Sequence, residues 1–237
     1  LFVRAGATNS QHVINGPSAT AVAVRVTLPS SYAGGESVSI TLSDGLATVT
    51  APAVTAPLGG GIVDVNGINV TSLTDGPIAL QAVAMDAAGN PTSMSGTVAT
   101  KDTLAPLVPT SAGVAAGPTN APHVIDVNNR SAVFLDVVWD PSMDGSESVQ
   151  VTFTSSGGGQ ASFGPFAPPV GGGASPVGPT DLSGLADGTI ALAFALVDTR
   201  GNTSNFTGTP ATMNTAGPAV PDSVLIAATP SSPAGYV

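Results

Sequence analysis

The chain repeats itself in a single frame. His12-Val13-Ile14-Asn15 returns as His123-Val124-Ile125-Asp126, 111 residues later, and Gly34-Gly35-Glu36-Ser37-Val38 returns at the same offset as Gly145-Ser146-Glu147-Ser148-Val149. One insertion then moves the offset to 112, at which Leu73-Thr74-Asp75-Gly76 meets Leu185-Ala186-Asp187-Gly188 and Asp86-Ala87-Ala88-Gly89-Asn90 meets Asp198-Thr199-Arg200-Gly201-Asn202. Whatever folds once must fold twice. A period this long excludes the solenoids, whose units run about 20–50 residues, and fits one self-contained small domain per copy. The expected organisation is residues 1–106, residues 107–218, and a remainder, 219–237, holding a linker and the first strand of a third copy. That third copy would begin where Gly235-Tyr236-Val237 falls opposite His123-Val124-Ile125. The chain opens on Leu1-Phe2-Val3-Arg4, without an initiator Met or the n- and h-regions of a signal peptide, and is expected to be cut from a longer array.

Within each copy the apolar residues alternate. Val22, Val24, Val26 and Leu28 point one way and Ala21, Ala23, Arg25 and Thr27 the other, the pattern of a strand with one buried face. The second copy keeps the register with Val133, Leu135, Val137 and Trp139, so the only tryptophan is expected in the core. Val38, Ile40 and Leu42 answer to Val149, Val151 and Phe153, and Ile78, Leu80 and Ala82 to Ile190, Leu192 and Phe194. No sustained 3.6-residue stripe escapes interruption by Gly or Pro. The chain is expected to be all-β, two tandem immunoglobulin-like β-sandwich domains with hairpin and Greek-key connections. The Gly- and Pro-rich tracts 51–61 and 155–179 are expected to be the least regular parts, as loops or weak edge strands.

Composition narrows the function. Charged residues make up 8% of the chain, and 15 acids against 5 bases leave a formal net charge of −10, which offers no basic patch for nucleic acid. There is no Cys, hence no disulfide, thiolate metal site or thiol catalysis. Mean hydropathy is +0.34, yet no run of about 18 apolar residues is free of interruption, so membrane insertion is not expected. Few lysines with many Thr, Gly and Asn residues fit a secreted bacterial chain.

The runs Asp75-Gly76-Pro77-Ile78-Ala79-Leu80, Asp86-Ala87-Ala88-Gly89-Asn90 and Lys101-Asp102-Thr103-Leu104-Ala105-Pro106 resemble the C-terminal half of bacterial immunoglobulin-like (Big-type) repeats of large secreted adhesins and cell-surface structural proteins. The second copy keeps Asp187-Gly188 and Asp198 with Gly201-Asn202, and softens the last motif to Asn214-Thr215-Ala216-Gly217-Pro218. The resemblance implies an extracellular stalk, or an element packing with other copies into a surface layer, sheath or filament. The alternatives are a module binding a glycan or host receptor, and an accessory region of a secreted enzyme.

Individual residues point to structure more than to chemistry. His12 and His123 hold equivalent positions about a domain apart, so neither a Ser/His/Asp arrangement nor a zinc cluster can be assembled from them, and no catalytic residue or enzyme activity is expected. Asp-x-x-Gly-Asn between alternating strands is explained by an Asx-turn and a glycine at positive φ. Calcium is the sharper possibility: it takes several oxygen ligands, and in the repeats this chain resembles it stiffens the junctions. Asp86, Asp102 and Asp126 are the candidate ligands of an interdomain calcium, although Asn15 and Asn214 stand in place of Asp126 and Asp102 in the other copy. Asp140, Asp144 and Glu147 form a second acidic group, read as a solvated hairpin. Asn69, Asn129, Asn202 and Asn205 head Asn-x-Ser/Thr sequons, expected at the surface. Phe134, Val138, Met85 and Val197 lie opposite the core face and are either buried by strand twist or meet a neighbouring copy.

Overall fold

The computed structural model describes residues 1–220 and Asp222, so the expected third copy, and most of the 219–237 remainder, lies outside the described residues. The first copy forms β1 (Phe2–Val3), β2 (Val13–Asn15), β3 (Val22–Leu28), β4 (Ser37–Ser43), β5 (Thr48–Thr50), β6 (Val54–Thr55), β7 (Gly61–Ile68), β8 (Gly76–Met85), β9 (Pro91–Ser95) and β10 (Ala99–Asp102). The second forms β11 (Ser111–Val114), β12 (Val124–Ile125), β13 (Val133–Trp139), β14 (Ser148–Ser155), β15 (Gln160–Phe166), β16 (Gly173–Thr180), β17 (Gly188–Val197), β18 (Thr203–Thr207) and β19 (Ala211–Met213). The chain is all-β. One short 3-10 turn, Gly16–Ser18, follows β2.

Each copy is a sandwich of two sheets. In the first, β1-β3-β7 faces β2-β10-β8-β4-β5, with β6 added to β4 and β9 to β8; in the second, β11-β13-β16 faces β12-β19-β17-β14-β15, with β18 added to β17. The short β2 runs parallel to β10, with Ile14 opposite Lys101, and β12 runs parallel to β19. All other pairings in both copies are antiparallel. This is the immunoglobulin-like arrangement, built twice.

The alternation places the core. Val22, Val24, Val26 and Leu28 are buried on β3, and Val133, Leu135, Val137 and Trp139 on β13. Each such aliphatic side chain taken from water contributes about 1.5–3 kcal/mol before entropy is counted. Trp139 is 1% exposed, donates from its indole N–H to Ser175 Oγ at 2.9 Å, and meets Phe166 and Phe194 edge-on at 6.1 and 6.5 Å. The first copy has Leu28, Ala82 and Met94 where the second has Trp139, Phe194 and Phe206, and there an apolar cleft of about 180 Å³ stays open.

The tract 155–179 is more ordered than expected: it holds β15 and most of β16. Both are edge strands, so Pro165, Pro176 and Pro179 interrupt no central ladder. Strand twist does not bury the outward apolar residues, since Phe134 is 44% exposed and Met85, Val138 and Val197 are close to it.

The two sandwiches differ in how they hold carboxylates. Backbone N–H groups of Ala47, Thr74 and Leu46 keep Asp44 well below the usual carboxylate range, and Arg25 lowers Asp64. Burial opposes ionisation of Asp75, but hydrogen bonds from Thr103 and Lys101 outweigh it. In the second sandwich Asp144 and Asp181 are lowered, chiefly by the serines two residues on. A depressed folded pKa adds stability above the unfolded value, near 3.9, that is lost as pH falls through the folded one. The first sandwich is therefore expected to lose more stability below about pH 4. Amide exchange measured on the intact chain between pH 5 and 2 should show the first sandwich opening earlier, and equal acid sensitivity would contradict this.

Candidate functional site

The residues that link distant parts of the chain lie where the sandwiches meet. The hairpin tip between β17 and β18 is closed by its own aspartate: Asp198 Oδ1 accepts from the N–H groups of Arg200 and Asn202 at 2.8 and 2.9 Å, and Oδ2 accepts from Asn202 Nδ2 at 2.8 Å. Gly201 supplies the positive φ of 85° that the turn requires. The tip points at the far end of the first sandwich, where β2 and β10 finish side by side at Asn15 and Asp102.

Four hydrogen bonds cross between these parts. Gly16 N–H donates to Asn202 Oδ1 at 2.7 Å, and Asn202 Nδ2 donates to the Asp102 carbonyl at 3.0 Å. Asn15 Nδ2 donates to the Arg200 carbonyl at 3.0 Å and also to the Thr8 carbonyl of its own sandwich. Ser204 Oγ donates to the Pro106 carbonyl at 2.6 Å. Ser18 N–H holds Asn15 Oδ1 at 3.1 Å, which turns the Nδ2 group toward the junction. Asn15 and Asn202 are 0% and 2% exposed. A buried amide is tolerable only when its polar atoms are paired, and here they are.

The approach is close. A Cβ placed on Gly201 would lie 2.6 Å from the Thr8 carbonyl oxygen of the first sandwich, and one on Gly16 would lie 3.3 Å from Asn202 Oδ1. The connecting segment adds to the contact. Pro106 and Pro109 are buried, Val108 packs against the second core, and Thr110 N–H donates to the Val138 carbonyl at 2.8 Å.

The three aspartates proposed for calcium do not meet. Asp86 is at the opposite end of the ten-residue β8 from the β10 terminus that carries Asp102, about 30 Å away at ~3.3 Å per residue. Asp126 follows β12, beside the end of β19, at the end of the second sandwich remote from the junction. Of the three only Asp102 lies at the junction, where it takes part through its backbone carbonyl, and the equivalents of Asp86 and Asp126 found there are Asp198 and Asn15. Calcium seeks six to eight oxygens. Here Asn15 Nδ2 and Asn202 Nδ2 occupy the carbonyls of Thr8, Arg200 and Asp102, and both Asp198 oxygens accept hydrogen bonds within the tip. These residues fit an amide junction and do not fit a calcium ion. Among the described residues no three His, Cys, Asp or Glu side chains gather around one point.

The remaining candidates have structural positions. His12 and His123 both take positive φ, 65° and 61°, and through backbone bonds to Val3 and Thr100, or Val114 and Thr212, they start the parallel strand of each sandwich. Asp140 and Asp144 accept from the N–H groups of Ser142 and Ser146, two residues on, as Asx-turns. Asn202 is buried and engaged, so it is not the surface sequon expected, whereas Asn69 and Asn205 are exposed.

No protein-family model matches the chain, and no curated protein matches its sequence. Among solved structures it is similar to a tetra-tandem repeat in the extending region of a large adhesion protein, at 21% identity and a TM-score of 0.34 over 85% of this chain and 48% of that one. It is also similar to a Ca2+-stabilized adhesin that helps an Antarctic bacterium reach out and bind ice, at 24% identity and 0.47 over 87% and 47%. A third is the fibronectin(III)-like modules of Clostridium thermocellum CbhA, at 15% identity and 0.34 over 89% and 90%. The chain thus spans about half the length of the first two.

Proposed function

We propose that this chain is a structural spacer segment of an extracellular bacterial surface protein of the adhesin kind, in which residues 1–106 and 107–218 are two sandwiches set in line and in fixed register. It holds other parts at a distance and transforms no substrate. The observation that carries this reading is the junction, where buried amides, a glycine contact and a proline-containing connector replace the loose tether that independent domains would have. Phe134, Val138, Met85 and Val197, exposed on a surface poor in charge, support side-by-side packing of copies as a second use of the same sandwiches.

Two glycine substitutions test the junction. Gly89 and Gly201 both have positive φ, 88° and 85°, but only Gly201 faces the other sandwich, so alanine at Gly89 meets nothing within 4 Å. Each change strains its turn by about 1 kcal/mol. Gly201→Ala should in addition part the sandwiches, broadening the distribution of distances within the molecule seen by small-angle X-ray scattering, while Gly89→Ala leaves the wild-type profile. A chelator should leave that profile unchanged. Identical profiles for both variants, or a wild type already broad, would reject a fixed register.

A further inference from the structure

The first sandwich carries a second, unengaged copy of the docking tip. Asp86 Oδ1 accepts from the N–H groups of Ala88 and Asn90 at 2.9 and 2.8 Å, and Oδ2 accepts from Asn90 Nδ2 at 2.8 Å, the same set of bonds that shapes Asp198–Asn202. The tip is therefore formed before anything touches it. Asn90 is exposed where its counterpart Asn202 is buried.

A second feature lies beside it. In the second sandwich the connecting segment runs between Ser204 and Val138, to which it is hydrogen bonded, with Val108 against the core. The counterparts of Ser204 and Val138 are Thr92 and Thr27, and both line the open apolar cleft of the first sandwich together with Leu28, Tyr32, Ala84 and Met94. Tip and cleft thus present together the two surfaces that a preceding sandwich and its connector cover in the second copy.

The receiving ends are not alike. Where the first sandwich ends in Asn15-Gly16, the second ends in Asp126-Val127. A carboxylate at the Asn15 position has no N–H to give to the two carbonyls, and a valine side chain enters the space in which a single Cβ on Gly16 would already lie 3.3 Å from Asn202 Oδ1.

We propose that the tip Asp86–Asn90 and the adjoining cleft form a docking surface for another sandwich of this type, one whose end carries an amide side chain followed by glycine, and that the Asp126–Val127 end does not receive such a tip. The inference rests on the in-line spacer reading above. Junctions are then specified pair by pair, and the order of sandwiches is written in two residues at each receiving end.

The test is a longer chain with a copy of Leu1–Ser111 placed ahead of the whole protein, so that the added Asn15-Gly16 end and connector face Asp86–Asn90. Amide exchange at the added Gly16 should be slower by about tenfold than in the same chain bearing Gly89→Ala in the acceptor tip. Small-angle scattering should give three sandwiches in line. Asn15→Asp with Gly16→Val in the added copy should release it, leaving its Ile40 amide protected as evidence of folding. The natural Gly16–Asn202 contact in the same molecule is the internal reference. If it is protected and the added one is not, whether the added copy folds or fails to, the proposal is overturned and the spacer reading stands. If neither is protected, both fall.

Discussion

Trp139→Ala is expected to destabilise the second sandwich by about 3–5 kcal/mol, the range for emptying a buried aromatic site. Trp139 is fully enclosed, its ring packs edge-on between Phe166 and Phe194, and its removal also leaves Ser175 Oγ without its donor. Small domains are stable by about 5–15 kcal/mol, so this loss removes a large share. Because neither sheets nor cores are shared between the sandwiches, calorimetry should show one transition moving down while the other stays. Trp139→Leu, which copies Leu28 of the first sandwich, should shift the same transition less. A Trp139→Ala transition within about 2 °C of wild type would mean that the site collapses without loss.

Asn202→Ala is expected to have the second-largest effect, and Asn90→Ala measures the part that belongs to the turn alone. Both asparagines close the same Asx hairpin, but Asn202 also accepts from Gly16 and donates to Asp102 across the junction. Its loss leaves a partly buried N–H and a partly buried carbonyl without this partner, at about 1–3 kcal/mol for each group that water does not reach. Hydrogen exchange at the Gly16 amide should accelerate in Asn202→Ala and remain at the wild-type rate in Asn90→Ala. Equal rates in the two variants would show that the junction bonds contribute nothing in solution.

The core was legible because alternation in a strand is local: Val22 to Leu28 and Val133 to Trp139 declare their inward faces within seven residues, and the repeat frame checks one copy against the other. The junction was not legible for the opposite reason. Asn15 and Asn202 are far apart in sequence, and an asparagine in place of an aspartate reads as a lost ligand charge when the partner is taken to be a metal ion. With the partner taken to be two backbone carbonyls, the amide is the required group and the carboxylate the misfit. The available signal was the pair of differences between copies, Asn15-Gly16 against Asp126-Val127, beside tips that differ little. The edge strand β15 was legible only as one of two alternatives, a loop or a weak edge strand, because Pro165 and the surrounding glycines mask a pattern whose single ladder partner is β14.

The parallel pairs β2 with β10 and β12 with β19 decide how the molecule responds when it is pulled. The chain enters the second sandwich at its junction end along β11, which pairs with β13, continues outward along β12, and leaves outward from β19, to which β12 is tied through Thr212 to His123 and Asn214 to Ile125. Tension between the two ends drags these strands in opposite directions along their common axis. Their hydrogen bonds are evenly spaced and slanted between the strands, so a pull along that axis loads them together, whereas a hairpin peeled from one end would release them singly. A sandwich strung this way resists stretching by shear, with its few parallel bonds as the clasp.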